Sequence, residues 1–180
     1  GPVAHLKRRR AACVGDIIFV SGPLGGSAVG LNDLLNGQLN TPRARLHRCP
    51  EPEIEAGIWL GSRGEVRAMM DISDGLSSEL IHICKASNCG CRVFEEHIPI
   101  DYQTALLAEE FNMSLTTCAM NGGEDYELLF TVPLELHELV SKLEGIRIIG
   151  HITKPELGMN LVTRDGVEVA LKAQGFQHEM

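Results

Sequence analysis

The sequence predicts an α+β fold in which a mixed β-sheet is covered by helices. Short apolar runs of strand length alternate with segments whose apolar residues recur at helical spacing, which indicates strands alternating with helices. The last apolar runs flank Asp165–Gly166, a dipeptide that favours a hairpin and therefore an antiparallel pair at the end of the series. A chain of 180 residues is long enough for one such domain with a sizeable core.

The first half of the chain predicts two strands and two helices. A glycine-rich turn connects the first strand to a helix that carries Leu31, Leu34 and Leu35. Pro52 suits the first turn of the second helix. The expected elements are a strand at 17–20, a helix to 35, a polar loop over 36–50, a helix from 52 to 60 and a strand over 66–70.

The second half predicts further helices, strands and the closing hairpin. Residues 125–132 alternate as a strand should, with Tyr126, Leu128 and Phe130 on one face. The other expected elements are helices over 76–86, from 101 to 111, over 114–120 and from 133 to 143, and strands at 92–94 and 146–149.

Composition and charge exclude several classes of function. No apolar run approaches the length of a membrane span, so we expect no membrane partner. A net charge of −8 argues against nucleic-acid binding, although the basic run 7–10 leaves a phosphate-binding arm as an alternative to a solvated connector. We expect residues 1–12 to be a connector or tail and residues 13–180 to form the domain. Reduced thiols and a cytoplasmic location fit the six cysteines best.

The segment DISDG at 71–75 carries the clearest chemical signal. Asp71 ends an apolar run, and Ser73 and Asp74 precede a helical pattern that begins after Gly75. Helix N-termini favour anions, and carboxylates are the oxygen ligands that Mg²⁺ uses together with phosphate oxygens. We therefore predict that Asp71 and Asp74 bind Mg²⁺ while Ser73 contacts phosphate. Ordinary helix capping by these side chains is the alternative.

Two further segments leave alternatives open. In NGGEDYELLFT at 121–131, two glycines precede Glu124 and Asp125, each of which suits a turn. Asp125 could assist the metal ions or cap the turn. The glycines at 22–30 could cradle phosphate or allow close packing of a helix on a strand.

Together, DISDGLSSEL and GGEDYELLFTVP resemble the thiamine-monophosphate kinase family, within a superfamily that includes aminoimidazole ribonucleotide synthase, selenophosphate synthetase and the hydrogenase-maturation dehydratase. GDIIFVSGPLGGSAVGL and the terminal GFQHEM extend the resemblance over most of the chain. It implies the fold of the C-terminal domain of that superfamily. It also implies a preceding N-terminal domain, which this sequence does not contain, a homodimer of the whole enzyme, and no activity for these residues alone.

The resemblance also implies the reaction and the roles of individual residues. The reaction is ATP- and Mg²⁺-dependent phosphorylation of thiamine monophosphate to thiamine diphosphate. Asp71 and Asp74 would be catalytic metal ligands, Ser73 would contact the ATP phosphates, and Glu124 and Phe176 would contact the substrate, whose thiazolium is a cation. A sister enzyme of the superfamily and a non-catalytic ligand-binding domain of the same fold are the alternatives.

Overall fold

A mixed seven-stranded sheet forms the centre of the structure, a computed structural model that describes residues 5–173. The strands lie in the order β2-β4-β1-β5-β3-β6-β7, and only β3 and β6 run parallel to each other. The prediction of a mixed sheet is confirmed. The strands are β1 (Ile17–Val20), β2 (Met69–Asp71), β3 (Gly90–Phe94), β4 (Leu128–Val132), β5 (Arg147–Thr153), β6 (Met159–Val162) and β7 (Glu168–Ala170).

Helices cover the sheet, as predicted. The α-helices of the described residues are α1 (Gly26–Leu35), α2 (Pro42–Arg48), α3 (Ile54–Ser62), α4 (Leu76–Ser87), α5 (Tyr102–Glu110), α6 (Leu115–Asn121) and α7 (His137–Ser141). Short 3₁₀ segments occur at Arg9–Ala11, Glu95–His97, Leu134–Leu136 and Pro155–Leu157. None of the described helices is both long enough and apolar enough to cross a membrane.

Alternation along the central strand β1 divides the core between the two faces of the sheet. Ile18 and Val20 belong to a cluster that includes the buried face of α4, whereas Phe19 belongs to a second cluster with residues of α3 and α7. Phe19 pairs with Phe130 across β1 and β4, and their rings stack with centroids 5.3 Å apart. Cross-strand aromatic pairs of this kind stabilise a sheet beyond the burial of their area.

The prediction of a polar loop over 36–50 is wrong, because α2 lies within it. The Thr41 side chain accepts a hydrogen bond from the Ala44 N–H, and Pro42 occupies the first turn. Ala44 is the buried residue of this helix, so the sequence carries no apolar pattern that would reveal it. An added Cβ at Gly30 would overlap the Arg43 carbonyl oxygen, which shows how closely α1 packs on α2.

Several other element boundaries differ from the predictions, and the strand expected over 66–70 is β2 (Met69–Asp71). Strand β4 begins at Leu128, because Tyr126 has a φ of 54° and cannot continue an extended strand. The helix expected from Pro133 to Leu143 is a 3₁₀ turn followed by the short helix α7. The predicted first strand, the helix α4 and the closing hairpin are confirmed.

Asp16 joins the loop before β1 to strand β4 and to the segment that precedes β2. Its side chain is almost fully buried, and its Oδ1 lies 2.7 Å from Arg67 Nη1. Its Oδ2 accepts hydrogen bonds from the Cys13 N–H at 2.9 Å and from the Thr131 hydroxyl at 3.3 Å. Removal of this carboxylate would leave buried donors without an acceptor.

We therefore expect Asp16→Ala to lower the free energy of unfolding by about 3 kcal/mol. Urea unfolding followed by circular dichroism measures it. Arg67→Ala is the matched variant, and its smaller expected loss reflects a guanidinium that is 37% exposed. A loss below about 1 kcal/mol for Asp16→Ala would contradict the role assigned to this network.

Candidate functional site

The two motifs singled out from the sequence lie against each other in the structure. The segment 71–75, which we call the SDG turn, begins with the last residue of β2, and the segment 121–127, which we call the GGED loop, precedes β4. Strands β2 and β4 are antiparallel neighbours, so the end of one meets the start of the other. The site therefore lies at the end of the β2–β4 pair, where β2 leads into the SDG turn and the GGED loop leads into β4.

Backbone hydrogen bonds join the SDG turn to the GGED loop. The Ile72 N–H donates to the Glu127 carbonyl at 2.8 Å, and the Tyr126 N–H donates back to the Ile72 carbonyl at 2.9 Å. The Glu124 N–H donates to the Ser73 carbonyl at 2.7 Å. These bonds continue the β2–β4 pairing beyond the ends of the strands, so the two loops form one unit.

Two glycines allow this close approach. Gly75 has a φ of 103°, and an added Cβ would lie 2.9 Å from Asn121 Cα. Gly123 has a φ of 66°, and an added Cβ would lie 2.8 Å from the Ser73 carbonyl oxygen. Glycine adopts such a φ without the cost that a side chain imposes.

Asp71 and Asp74 project from the SDG turn as exposed carboxylates. Neither side chain makes a hydrogen bond or a salt bridge with any residue in the range 5–173. A hydrogen bond to Glu124 and the charge of Glu124 raise the pKa of Tyr126, and the charges of Asp71 and Asp74 raise it further. The negative charge of both loops therefore converges around the Tyr126 phenol.

The capping alternative for these two aspartates is wrong. Gly75 is the N-cap residue of α4, and no side chain caps this helix end. Instead, the buried Glu79 accepts hydrogen bonds from the SDG turn through its Oε1. Sequence reasoning missed Glu79, although an acid in the first turn of a helix is a known signal for backbone hydrogen bonds at the helix start.

Ser73 lies in the SDG turn as predicted, but its donors are already used. Both its N–H and its hydroxyl donate to Glu79 Oε1, each at 3.3 Å. A contact between these donors and a phosphate requires the exchange of one of these long bonds. The contact of Ser73 with ATP phosphates therefore stays a prediction.

Glu124 is exposed at the edge of an acidic cleft with a volume of about 230 Å³. Its Oε2 accepts a hydrogen bond from the Tyr126 hydroxyl at 3.2 Å. Arg43 also lines the cleft, but its charge is paired with Asp101. The acids that line the cleft are Glu51, Glu53, Asp101, Glu124, Asp125 and Glu127. Such a lining favours a cationic ligand.

Phe176, the other predicted substrate contact, lies outside the described residues.

Asp125 caps the glycine-rich turn rather than facing the SDG turn. Its carboxylate accepts hydrogen bonds from the Gly25 N–H at 2.9 Å and the Ser27 N–H at 3.2 Å, at the N-terminus of α1. Burial raises the pKa of Asp125 to about 6, although these two bonds oppose the rise. A carboxylate of this chain thus occupies the α1 terminus that the sequence left open to phosphate, and close packing explains Gly30.

Glu127 is a second half-buried acid that the sequence did not single out. It accepts a hydrogen bond from the Ser21 hydroxyl, and an added Cβ at Gly22 would overlap its carboxylate. Burial raises the pKa of Glu127 to about 7, and the charges of Glu53 and Asp125 raise it further, against the Ser21 bond. The third acid of GGEDYE was the available signal for this residue.

The raised pKa of Glu127 makes the stability of the fold depend on pH. The folded protein holds this proton up to about pH 7, whereas an ordinary glutamate loses it near pH 4.5, so stability falls as pH rises through this window. We expect Glu127→Gln to remove this contribution, so that its stability relative to the wild type increases by on the order of 2 kcal/mol between pH 4.5 and 8.

Urea unfolding at several pH values, followed by Trp59 fluorescence, measures the difference between Glu127→Gln and the wild type. Glu144→Gln is the control, because Glu144 is exposed and the same substitution there should leave the pH dependence unchanged. A difference between Glu127→Gln and wild type that stays constant with pH would contradict the raised pKa.

The donor set of the SDG turn fits a magnesium ion that is shared with phosphates. Within residues 5–173, no group of three or more His, Cys, Asp or Glu side chains is arranged to hold a metal ion by itself. Mg²⁺ is commonly held by one or two carboxylates together with waters and substrate phosphates. The two free carboxylates Asp71 and Asp74 supply that share of the ligands.

Comparison with known proteins identifies the relatives of this chain. It is 36% identical over 176 residues to the thiamine-monophosphate kinase of Buchnera aphidicola subsp. Schizaphis graminum, covering 91% of this chain and 53% of the relative. It is also 36% identical over 190 residues to the thiamine-monophosphate kinase of Salmonella typhimurium, covering 98% of this chain and 56% of the relative. The chain therefore spans about half the length of the curated relatives it matches.

Solved structures give the same result. AaThiL complexed with AMPPCP and TMP has a TM-score of 0.80 and 30% identity, over 94% of this chain and 53% of that protein. Thiamine monophosphate kinase from Aquifex aeolicus has a TM-score of 0.77 and 29% identity, over 91% of this chain and 54% of that protein. The hydrogenase maturation protein HypE of E. coli, at 21% identity and a TM-score of 0.73 over 96% of this chain and 54% of that protein, shares the fold.

One protein family accounts for most of the chain. The family model described as AIR synthase related protein, C-terminal domain, matches residues 14–160. That range includes strands β1 to β5 and the first two residues of β6, and it includes both the SDG turn and the GGED loop. The chain belongs to the family of AIR synthase related protein C-terminal domains.

Proposed function

We propose that this chain is the C-terminal part of an ATP- and Mg²⁺-dependent kinase that phosphorylates thiamine monophosphate to thiamine diphosphate. The observation that carries the proposal is the junction of the SDG turn and the GGED loop, which sets two free carboxylates beside an acidic cleft. The relatives named thiamine-monophosphate kinase, and the related structure with AMPPCP, an ATP analogue, and TMP, support it.

The proposed reaction places modest demands on acid–base chemistry. The acceptor is a phosphate oxygen that is already ionised at neutral pH, so no strong general base is needed. The site has to bring two polyanions into line against their mutual repulsion. Asp71 and Asp74 would hold Mg²⁺, which supplies neutralisation of phosphate charge, and Ser73 would contact the ATP phosphates.

Glu124 and the cleft would recognise the cationic end of the substrate. Glu124 is exposed at the cleft, and the Tyr126 hydroxyl bonds to its Oε2 and restrains the side chain. The thiazolium of thiamine monophosphate is a fixed cation, which the surrounding carboxylates attract without a need for proton transfer. Stacking of Phe176 on the substrate ring belongs to the proposal as well.

The rest of the proposed enzyme is a domain that precedes these residues. Residues 13–180 would form the C-terminal domain, and residues 1–12 would lead into it. The proposal includes an N-terminal domain that completes the nucleotide and metal sites, a homodimer, and a cytoplasmic location.

Substitution of either aspartate tests the metal role. We expect Asp71→Asn and Asp74→Asn in the full-length protein to lower the rate of thiamine diphosphate formation by about 100-fold or more, because each removes an anionic metal ligand. The midpoint of thermal unfolding should move by less than about 2 °C, because both side chains are exposed and make no hydrogen bond or salt bridge within residues 5–173.

Glu156→Gln, at an exposed position away from both loops, is the control for loss of surface charge and should keep the wild-type rate. A normal rate in both aspartate variants would contradict the metal role. Unfolding of either variant would instead indicate that the aspartate is structural.

Formation of thiamine diphosphate from ATP, Mg²⁺ and thiamine monophosphate tests the function itself. We expect product with the full-length protein and none with these residues alone. Product from both would show that residues 1–180 suffice. Absence of product from the full-length protein would overturn the proposal and favour a sister activity or a non-catalytic binding domain.

A further inference from the structure

We propose that Glu79 is a positioning residue that sets the separation of the two carboxylates of the SDG turn and thereby their affinity for a divalent cation. Glu79 lies in the first turn of α4 and is 1% exposed, so it does not itself reach solvent or a ligand. The inference rests on the proposed function, because it assumes that Asp71 and Asp74 bind the cation.

The carboxylate of Glu79 accepts hydrogen bonds from three donors on the inner side of the SDG turn. Its Oε1 accepts the Asp74 N–H at 2.9 Å, and it also accepts the N–H and the hydroxyl of Ser73 at 3.3 Å each. Two successive peptide N–H groups therefore point at one atom, which fixes the orientation of both peptide planes. A charged acceptor makes these bonds stronger than a neutral one would.

The two aspartates differ in how their backbones are held. Asp71 is the last residue of β2 and pairs with Leu128 of β4, so the sheet itself fixes its position. Asp74 lies beyond the strand, and among the described residues the hydrogen bond of its backbone N–H goes to Glu79. The position of Asp74 relative to Asp71 therefore depends on Glu79 and on the close packing of Gly75 against Asn121. The bond from the Glu124 N–H to the Ser73 carbonyl holds the other side of the same peptide.

Burial keeps this support in place. Residues 75–80 are all buried, and Leu76 and Leu80 belong to the main core, so α4 cannot shift without disturbing that core. The hydrogen bonds of Glu79 thus hold the SDG turn in a fixed position relative to α4, while the side chains of Asp71 and Asp74 are exposed. In other proteins, substitution of a residue that hydrogen-bonds to a metal ligand and orients it lowers metal affinity or activity by about 10- to 100-fold.

The test is the affinity of the full-length protein for Mn²⁺, the probe ion, measured from the electron paramagnetic resonance signal of free Mn²⁺. We expect the wild type to bind Mn²⁺ and Glu79→Gln to bind it about tenfold or more weakly. Glu79→Asp, which keeps the charge but shortens the reach, should also bind more weakly. If Glu79→Gln does not fold, Glu79→Asp provides the comparison.

Asp33→Asn is the matched control. Asp33 lies in α1, outside both loops, is also 1% exposed, and accepts a hydrogen bond from the hydroxyl of Thr41, the N-cap of α2. It should lose stability comparably in urea unfolding while keeping the wild-type Mn²⁺ affinity. An unchanged affinity in the Glu79 variants, an equal loss in Asp33→Asn, or no Mn²⁺ binding by the wild type would each overturn the inference.

The same measurements separate this inference from the proposed kinase activity. If the full-length protein forms no thiamine diphosphate while the Glu79 variants selectively lose Mn²⁺ affinity, the positioning role stands and the kinase assignment falls. If the kinase is active and the Glu79 variants keep their Mn²⁺ affinity, the assignment stands and the positioning role falls.

Discussion

Backbone hydrogen bonds between the SDG turn and the GGED loop are the interaction on which the site depends. They extend the pairing of β2 with β4 into two segments that are far apart in the sequence. Because the segments approach so closely, Gly75 and Gly123 cannot carry a side chain without displacing backbone. The same bonds hold Glu124 and Tyr126 at a φ of 60° and 54°, a conformation that costs free energy for residues with a side chain.

The acids around this junction fall into two groups with different surroundings. Asp71, Asp74 and Glu124 are exposed, so a ligand can reach their carboxylates. Asp125 and Glu127 are more buried, and their raised pKa values show that their surroundings disfavour the charge. The exposed group suits cation binding, whereas the buried group joins the loops to the glycine-rich turn and to Ser21. A site that binds polyanions through bound cations can use both groups, the exposed acids to bind the cations and the less exposed acids to hold the loops in place.

The sequence predicted the fold class and the two loops because these depend on local patterns. The apolar residues of β1, the helical spacing of apolar residues in α4 and the Asp–Gly hairpin signal can all be recognised in the amino-acid sequence. Helix α2 was missed because a seven-residue helix with Ala44 as its buried residue has no apolar periodicity. Tyr126 was placed in a strand because alternation cannot report a positive φ that is imposed by a neighbouring loop.

The partners of the supporting residues could not be predicted from the sequence for a related reason. Glu79, Asp125 and Glu127 acquire their roles from partners that the chain brings together only on folding, such as Asp125 with Gly25. Asp71, Ser73, Asp74 and Glu124 were singled out because each belongs to a short motif. Motifs thus indicated the side chains that we propose to bind the ligand, whereas the contacts that hold their loops were visible only in three dimensions.

Amide hydrogen exchange at Ile72, Glu124 and Tyr126, followed by NMR, tests most directly whether the two loops form one unit. If they do, these amides should exchange within about tenfold of the rate of Phe130 in β4, because they open only together with the sheet. Exchange as fast as in the exposed hairpin turn at 164–166 would contradict the account, since the two loops would then move independently.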